Sequence, residues 1–203
     1  MLRFYTIFFM FFFLLWSATP ASAGEEAISA RTAFTLLPES IFENTIEGLT
    51  PTEKQILLTQ GASEFWEIVG ETPDVLVVTS IPLHDSAVAT RIFRNTSKPS
   101  VLVAVGTLGA PICALELWKI DALGRTVPID TPSEPDVQEF FTQDNPMPPD
   151  VQGSVMLCLG LDGLKAQPMF WTKTGMAHVP VYKDIVFLWN GAAFEKTVVQ
   201  RTP

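Results

Sequence analysis

Four apolar runs constrain the fold of this chain most. They are Asp74-Val-Leu-Val-Val-Thr, Ser100-Val-Leu-Val-Ala-Val, Ser154-Val-Met-Leu-Cys-Leu and Asp184-Ile-Val-Phe-Leu-Trp. Each opens on a short polar residue, continues as β-branched or aliphatic sequence of strand length, and is followed by a turn and a second run. Asp162-Gly163 and Asn190-Gly191 mark the sharpest turns, because two-residue hairpins need backbone angles that Asn, Asp and Gly tolerate. They predict two hairpins, Val155 to Leu161 with Leu164 to Trp171, and Ile185 to Trp189 with Ala192 to Val199. The chain from Asp74 onward therefore reads as mainly β, an antiparallel meander of hairpins. Its runs are more continuously apolar than a strand wetted on one face, so a sandwich or highly curved sheet with one or two short packed helices is expected. The segment starts lie 26, 54 and 30 residues apart. The shorter two spacings fall below the about 40 to 45 residues of a propeller blade, which favours a plain meander.

Helix signals are few. Thr50-Pro51-Thr52-Glu53 orders an N-cap hydroxyl, a proline at the first helical position and a capping-box glutamate, and Gly61 supplies a stop. A helix from Pro51 to Gln60 follows, docking through Ile56, Leu57 and Leu58. Ser133-Glu134-Pro135-Asp136 starts a shorter helix carrying Val137, Phe140 and Phe141, and the proline-rich stretch Asp144 to Pro149 ends it as a surface loop.

The first 23 residues read as a secretory signal peptide: Arg3, then apolar sequence from Phe4 to Trp16, then Ala21-Ser22-Ala23 before Gly24. Ser17, Thr19 and Pro20 interrupt the run before it reaches the about 20 apolar residues of a membrane span. The expected product is a single β-rich domain over residues 24–203, with a segment 24–73 holding the first helix and a hairpin body 74–203, located in the periplasm or secreted. Losing Arg3 lowers Lys plus Arg from 13 to 12 against 22 acids, so the mature chain carries −10. Such a surface repels nucleic acid and anionic lipid and admits a cationic partner.

Cys113 and Cys158 lie in strand-like runs, Ile112 to Trp118 and Val155 to Leu159. After export they are expected to form a disulfide stapling two strands; a redox or metal pair is the alternative, without a close Cys-x-x-Cys spacing or a nearby histidine. His84 and His178 are the only histidines, 94 positions apart, and neither belongs to a zinc or nucleophile motif. His84 falls at an expected hairpin tip, and Ser63 in Gly61-Ala62-Ser63-Glu64 reads as a turn residue. No cofactor or metal site is expected.

Glu116 is the candidate catalytic acid, inside the apolar strand Ala114-Leu115-Glu116-Leu117-Trp118. It shares a strand face with Trp118, where an indole can raise the pKa of an acid and stack a sugar. Glycan hydrolysis needs a second carboxylate about 5 to 10 Å away, and no second acid has a comparable setting in the sequence. The same alternation is satisfied if Cys113, Leu115 and Leu117 point inward and Glu116 outward, with Trp118 covering the outer face. Phe170, Trp171 and Trp189 are candidate partner contacts, and core packing accounts for them equally.

The segments Leu37-Pro38-Glu39-Ser40-Ile41-Phe42-Glu43-Asn44-Thr45-Ile46-Glu47-Gly48-Leu49 and Leu188-Trp189-Asn190-Gly191-Ala192-Ala193-Phe194 resemble parts of exported bacterial β-rich domains of unknown function. The resemblance implies location and architecture and carries over no site. The expected role is a non-catalytic binding or inhibitor-type module of a bacterial envelope. The alternatives are a carboxylate-dependent glycan hydrolase acting through Glu116 and a structural accessory subunit.

Overall fold

The structure, a computed structural model, describes residues 27–82, 87–108 and 112–201. The expected signal peptide and His84 lie outside the described residues. Two antiparallel sheets make up the body. The first runs in chain order through β1 (Trp66–Glu71), β2 (Val75–Ser80), β3 (Ala87–Arg94), β4 (Val101–Leu108), β5 (Leu115–Ile120) and β6 (Thr126–Ile129). The second contains β7 (Gln152–Leu159), β8 (Gly163–Thr172), β9 (Gly175–Ala177), β10 (Lys183–Trp189) and β11 (Phe194–Gln200), in the order β11-β10-β8-β7 with β9 beside β8. All four apolar runs are strands, and the fold is mainly β as expected.

For the two runs in the first sheet, β2 and β4, the continuity has a direct physical reason, which is that this sheet is covered on both faces; in the second sheet the expectation does not hold for β10, whose Leu188 is exposed on the outer face. On β4, Val101, Val103 and Val105 point into a core shared with helix α1 (Ala30–Leu36), the 3-10 turn Ser40–Asn44 and helix α2 (Pro51–Gln60). Leu102 and Ala104, between them, point into a second core shared with Val155, Leu157, Leu164 and Ile185 of the other sheet. A strand with two dry faces has no position left for a polar side chain. The molecule is thus three layers deep: helices, first sheet, second sheet.

The tips of the second sheet step along β3 and β4. A Cβ on Gly106 would come within 2.7 Å of Leu159 Cβ, Arg91 reaches Asp162 at 3.9 Å, and Thr96 donates its N–H to Gly191 O at 2.9 Å. Two hairpin tips from the same end of the second sheet, laid along β3 and β4 and the turn that follows β3, mean that the strands of the second sheet cross those of the first, as in an orthogonal sandwich.

Helix α2 forms with the bounds and caps its sequence specifies: Thr50 Oγ1 accepts from Glu53 N, Glu53 returns the bond to Thr50 N, and Gly61 takes a left-handed conformation at φ 84°. Its docking face differs from expectation. Leu57 is buried, but Ile56 is exposed, and Lys54 is buried instead, donating to Leu37 O and pairing with Glu39 at 3.0 Å. The reason is geometric, for Lys54 and Leu57 are three apart and share one helix face, whereas Ile56 does not. Asp136 caps the second short helix, a single 3-10 turn over Val137–Phe140.

Three further corrections concern boundaries. The sheet begins at Trp66 rather than Asp74, and the N-terminal segment holds α1 and a 3-10 turn besides the expected helix. In the β7–β8 hairpin, Gly160 N–H donates to Gly163 O at 2.9 Å, so Leu161 and Asp162 form the tip, one residue earlier than expected. In the β10–β11 hairpin Asn190 N–H donates to Ala193 O at 3.1 Å, so Gly191 and Ala192 form the tip, one residue later than expected, and Asn190 Oδ1 holds it by accepting from Ala192 N and Ala193 N at 2.9 Å each.

Gly163 is required for a different reason from the one its turn suggested. A Cβ there would stand 2.1 Å from Phe187 O, because β10 passes directly against the β8 backbone. Gly163→Ala is expected to cost about 3 kcal/mol in urea unfolding, the upper end for overpacking, by prising β8 from β10. Leu161→Ala at the exposed tip should stay within about 0.5 kcal/mol.

Candidate functional site

Cys113 and Cys158 form a disulfide with Cα atoms 5.4 Å apart. Cys113 immediately precedes β5 in the first sheet and Cys158 lies in β7 of the second, so the bond staples the two sheets where Leu159 abuts Gly106. A bridge across 45 positions stabilises by about 4 kcal/mol in the chain-entropy model.

Glu116 projects from β5 toward the helical layer, not toward solvent. Ser40 Oγ donates to Glu116 Oε2 at 2.9 Å, and Trp118 Nε1 donates to the same oxygen at 3.1 Å. Trp118 itself packs against the core beneath the helices. The outer face assigned to Glu116 and Trp118 is therefore an internal one, and the carboxylate ties the 3-10 turn to the sheet while satisfying an indole N–H that burial would otherwise leave unpaired. Ser40 is 76 positions away, so no local pattern could have announced it.

The aromatic candidates separate. Phe170 is buried between the sheets, edge-on to Phe141 with ring centroids 5.8 Å apart, and so is not presented to a partner. Trp171, on the same strand, is half-buried beside Gln152 and Lys173. Trp189 is half-buried, donates Nε1–H to Arg94 O at 2.8 Å, and packs against Phe93 and Phe194 with centroids 5.9 and 5.2 Å away. These three side chains do not form one patch. His178 is exposed after β9, and no group of three or more His, Cys, Asp or Glu suited to a metal occurs among the described residues.

Charge is distributed unevenly. Residues 27–82, which build the helical layer and the first two strands, contain eight acids and only two cations, Arg31 and Lys54. Both cations are already engaged, Arg31 by Glu71 and Lys54 by Glu39. Glu43 and Glu64 are exposed, and Glu67 is half-exposed on β1. Arg94 of β3 reaches Asp74 at 2.6 Å, and the segment still carries a net negative charge.

Three carboxylates are held below their ordinary values by paired cations. A hydrogen bond from Arg201 holds the Asp184 carboxyl below its ordinary value, aided by the charges of Arg201 and Lys165. Hydrogen bonds from Arg31 and Lys196 do the same for Glu71 and Glu139.

The chain matches no family model, no curated protein and no solved structure.

Two outcomes follow. Glu116→Ala strands the Ser40 hydroxyl and the Trp118 N–H, and should cost about 1–3 kcal/mol in denaturant unfolding, with a change in tryptophan emission. The depressed carboxylates stabilise the fold above their unfolded values near pH 4, and that contribution is lost as pH falls through their lower folded values. The thermal midpoint should therefore drop as pH is lowered below about 4, and Asp184→Asn should reduce the drop, each exposed pair giving no more than about 1 kcal/mol.

Proposed function

We propose that the chain is an exported, non-catalytic binding module of a bacterial envelope, cleaved after Ala23 and working in the periplasm or outside the cell. The apolar leader with its Ala-Ser-Ala ending supports export, and the inter-sheet disulfide is the kind of bond an oxidising compartment preserves. The partner is a cationic envelope or extracellular protein. An envelope-attacking enzyme such as a lysozyme has the matching chemistry.

The observation that carries this reading is the segregation of charge: eight acids against two neutralised cations over residues 27–82. A field of one sign over one side of a protein raises encounter rates with an oppositely charged partner and fixes which side it meets. Glu116, the residue on which a hydrolase would depend, is held by Ser40 and Trp118 in a bracing contact under the helices.

The test is association with a lysozyme, followed by biolayer interferometry at low and high salt. Binding should be saturable at low ionic strength and weaken steeply with added salt. The combined variant Glu43→Lys, Glu64→Lys and Glu67→Lys should slow association by at least about tenfold. Absence of binding at low salt, or binding indifferent to both salt and the substitutions, would overturn the reading.

A further inference from the structure

We infer that the open end of the space between the two sheets is a binding site for a small aromatic carboxylate. The cleft has a volume of about 440 Å³, within the roughly 300–1,000 Å³ usual for small-molecule sites. Leu102 and Leu117 of the first sheet, both buried and both facing the second sheet, form its floor. Trp189 and Phe194, from the β10–β11 hairpin, form one wall, and the chain leaving β6 at Ile129 contributes to the lining.

That wall is preorganised. The Trp189 ring is pinned by its bond to Arg94 O and by edge contact with Phe194, and Phe194 is itself held edge-on by Phe93 with centroids 5.0 Å apart. Rings fixed in this way offer a flat apolar surface to a ligand with little ordering cost on binding.

The charge of the ligand follows from the lysines. Of the twelve lysines and arginines among the described residues, eight lie within 4.0 Å of a carboxylate. The four that do not are Lys98, Lys119, Lys173 and Lys183, and the first two both line this cleft. In a chain with 22 acids, cations that leave two ammonium groups free at one apolar cleft make it locally positive, with Asp130 as the one carboxylate in its lining. An aromatic body against Trp189 and Phe194 and a carboxylate between the two ammonium groups satisfy both features at once. No residue of the acid-rich segment 27–82 lines this cleft.

The experiment is isothermal titration calorimetry of the full mature chain with naphthoate and with its neutral counterpart, naphthalenemethanol. Naphthoate should bind at one saturable site at least about tenfold more tightly than the alcohol, the difference being the two charge contacts. Lys98→Gln with Lys119→Gln should bring naphthoate affinity down to that of the alcohol and leave the alcohol unchanged. Lys173→Gln with Lys183→Gln should change neither. No saturable binding of naphthoate, equal affinity for acid and alcohol, or insensitivity to the Lys98 and Lys119 substitutions would each overturn the inference.

Discussion

The rest of the structure depends on burial of the first sheet from both sides. β4 alternates its side chains between two cores, valines toward the helices and Leu102 and Ala104 toward the second sheet. Neither layer alone gives that strand a dry environment, and the hydrophobic gain scales with the area each layer removes from water. Layers joined this way are expected to unfold together, and the disulfide closes the contact at the point where Gly106 lets Leu159 approach.

The layered arrangement also decides which polar residues are available for chemistry. Glu116 and Lys54 look like active-site material in isolation, an acid beside a tryptophan and a cation on an apolar face. Both are braces in the packed molecule: Glu116 joins the 3-10 turn to β5, and Lys54 joins α2 to Leu37 and Glu39. Each meets the requirement that a buried polar group be paired, and each is committed to the fold by doing so. What remains for recognition is at the surface, as unbalanced charge on the helical side and as an aromatic cleft with free lysines at the mouth of the sandwich.

Local order was legible in the sequence wherever a signal was short-range. Thr50 to Gly61 spelled out α2 with both caps, and the uninterrupted apolar runs announced strands, of which β2 and β4 are covered on two sides. Helix α1 is only seven residues long, with Ser29 as its cap, and β1 is a short strand whose regularity is broken by a register shift between Ile68 and Gly70. Neither carries a pattern strong enough to stand out. The site features are non-local for a plainer reason. The bond from Ser40 to Glu116 needs the helical layer docked on the first sheet, the nearness of Lys98 and Lys119 needs β4 paired with β5, and the seating of Trp189 on Arg94 needs the second sheet packed across the first.

An exported chain stapled across its two sheets is the premise beneath the envelope-binding reading. Intact-mass analysis of protein recovered from the producing cells, with thiol alkylation before and after reduction, addresses it directly. The account predicts a chain starting at Gly24 whose Cys113 and Cys158 take up label only after reduction. A chain starting at Met1 with both cysteines labelled at once would contradict it.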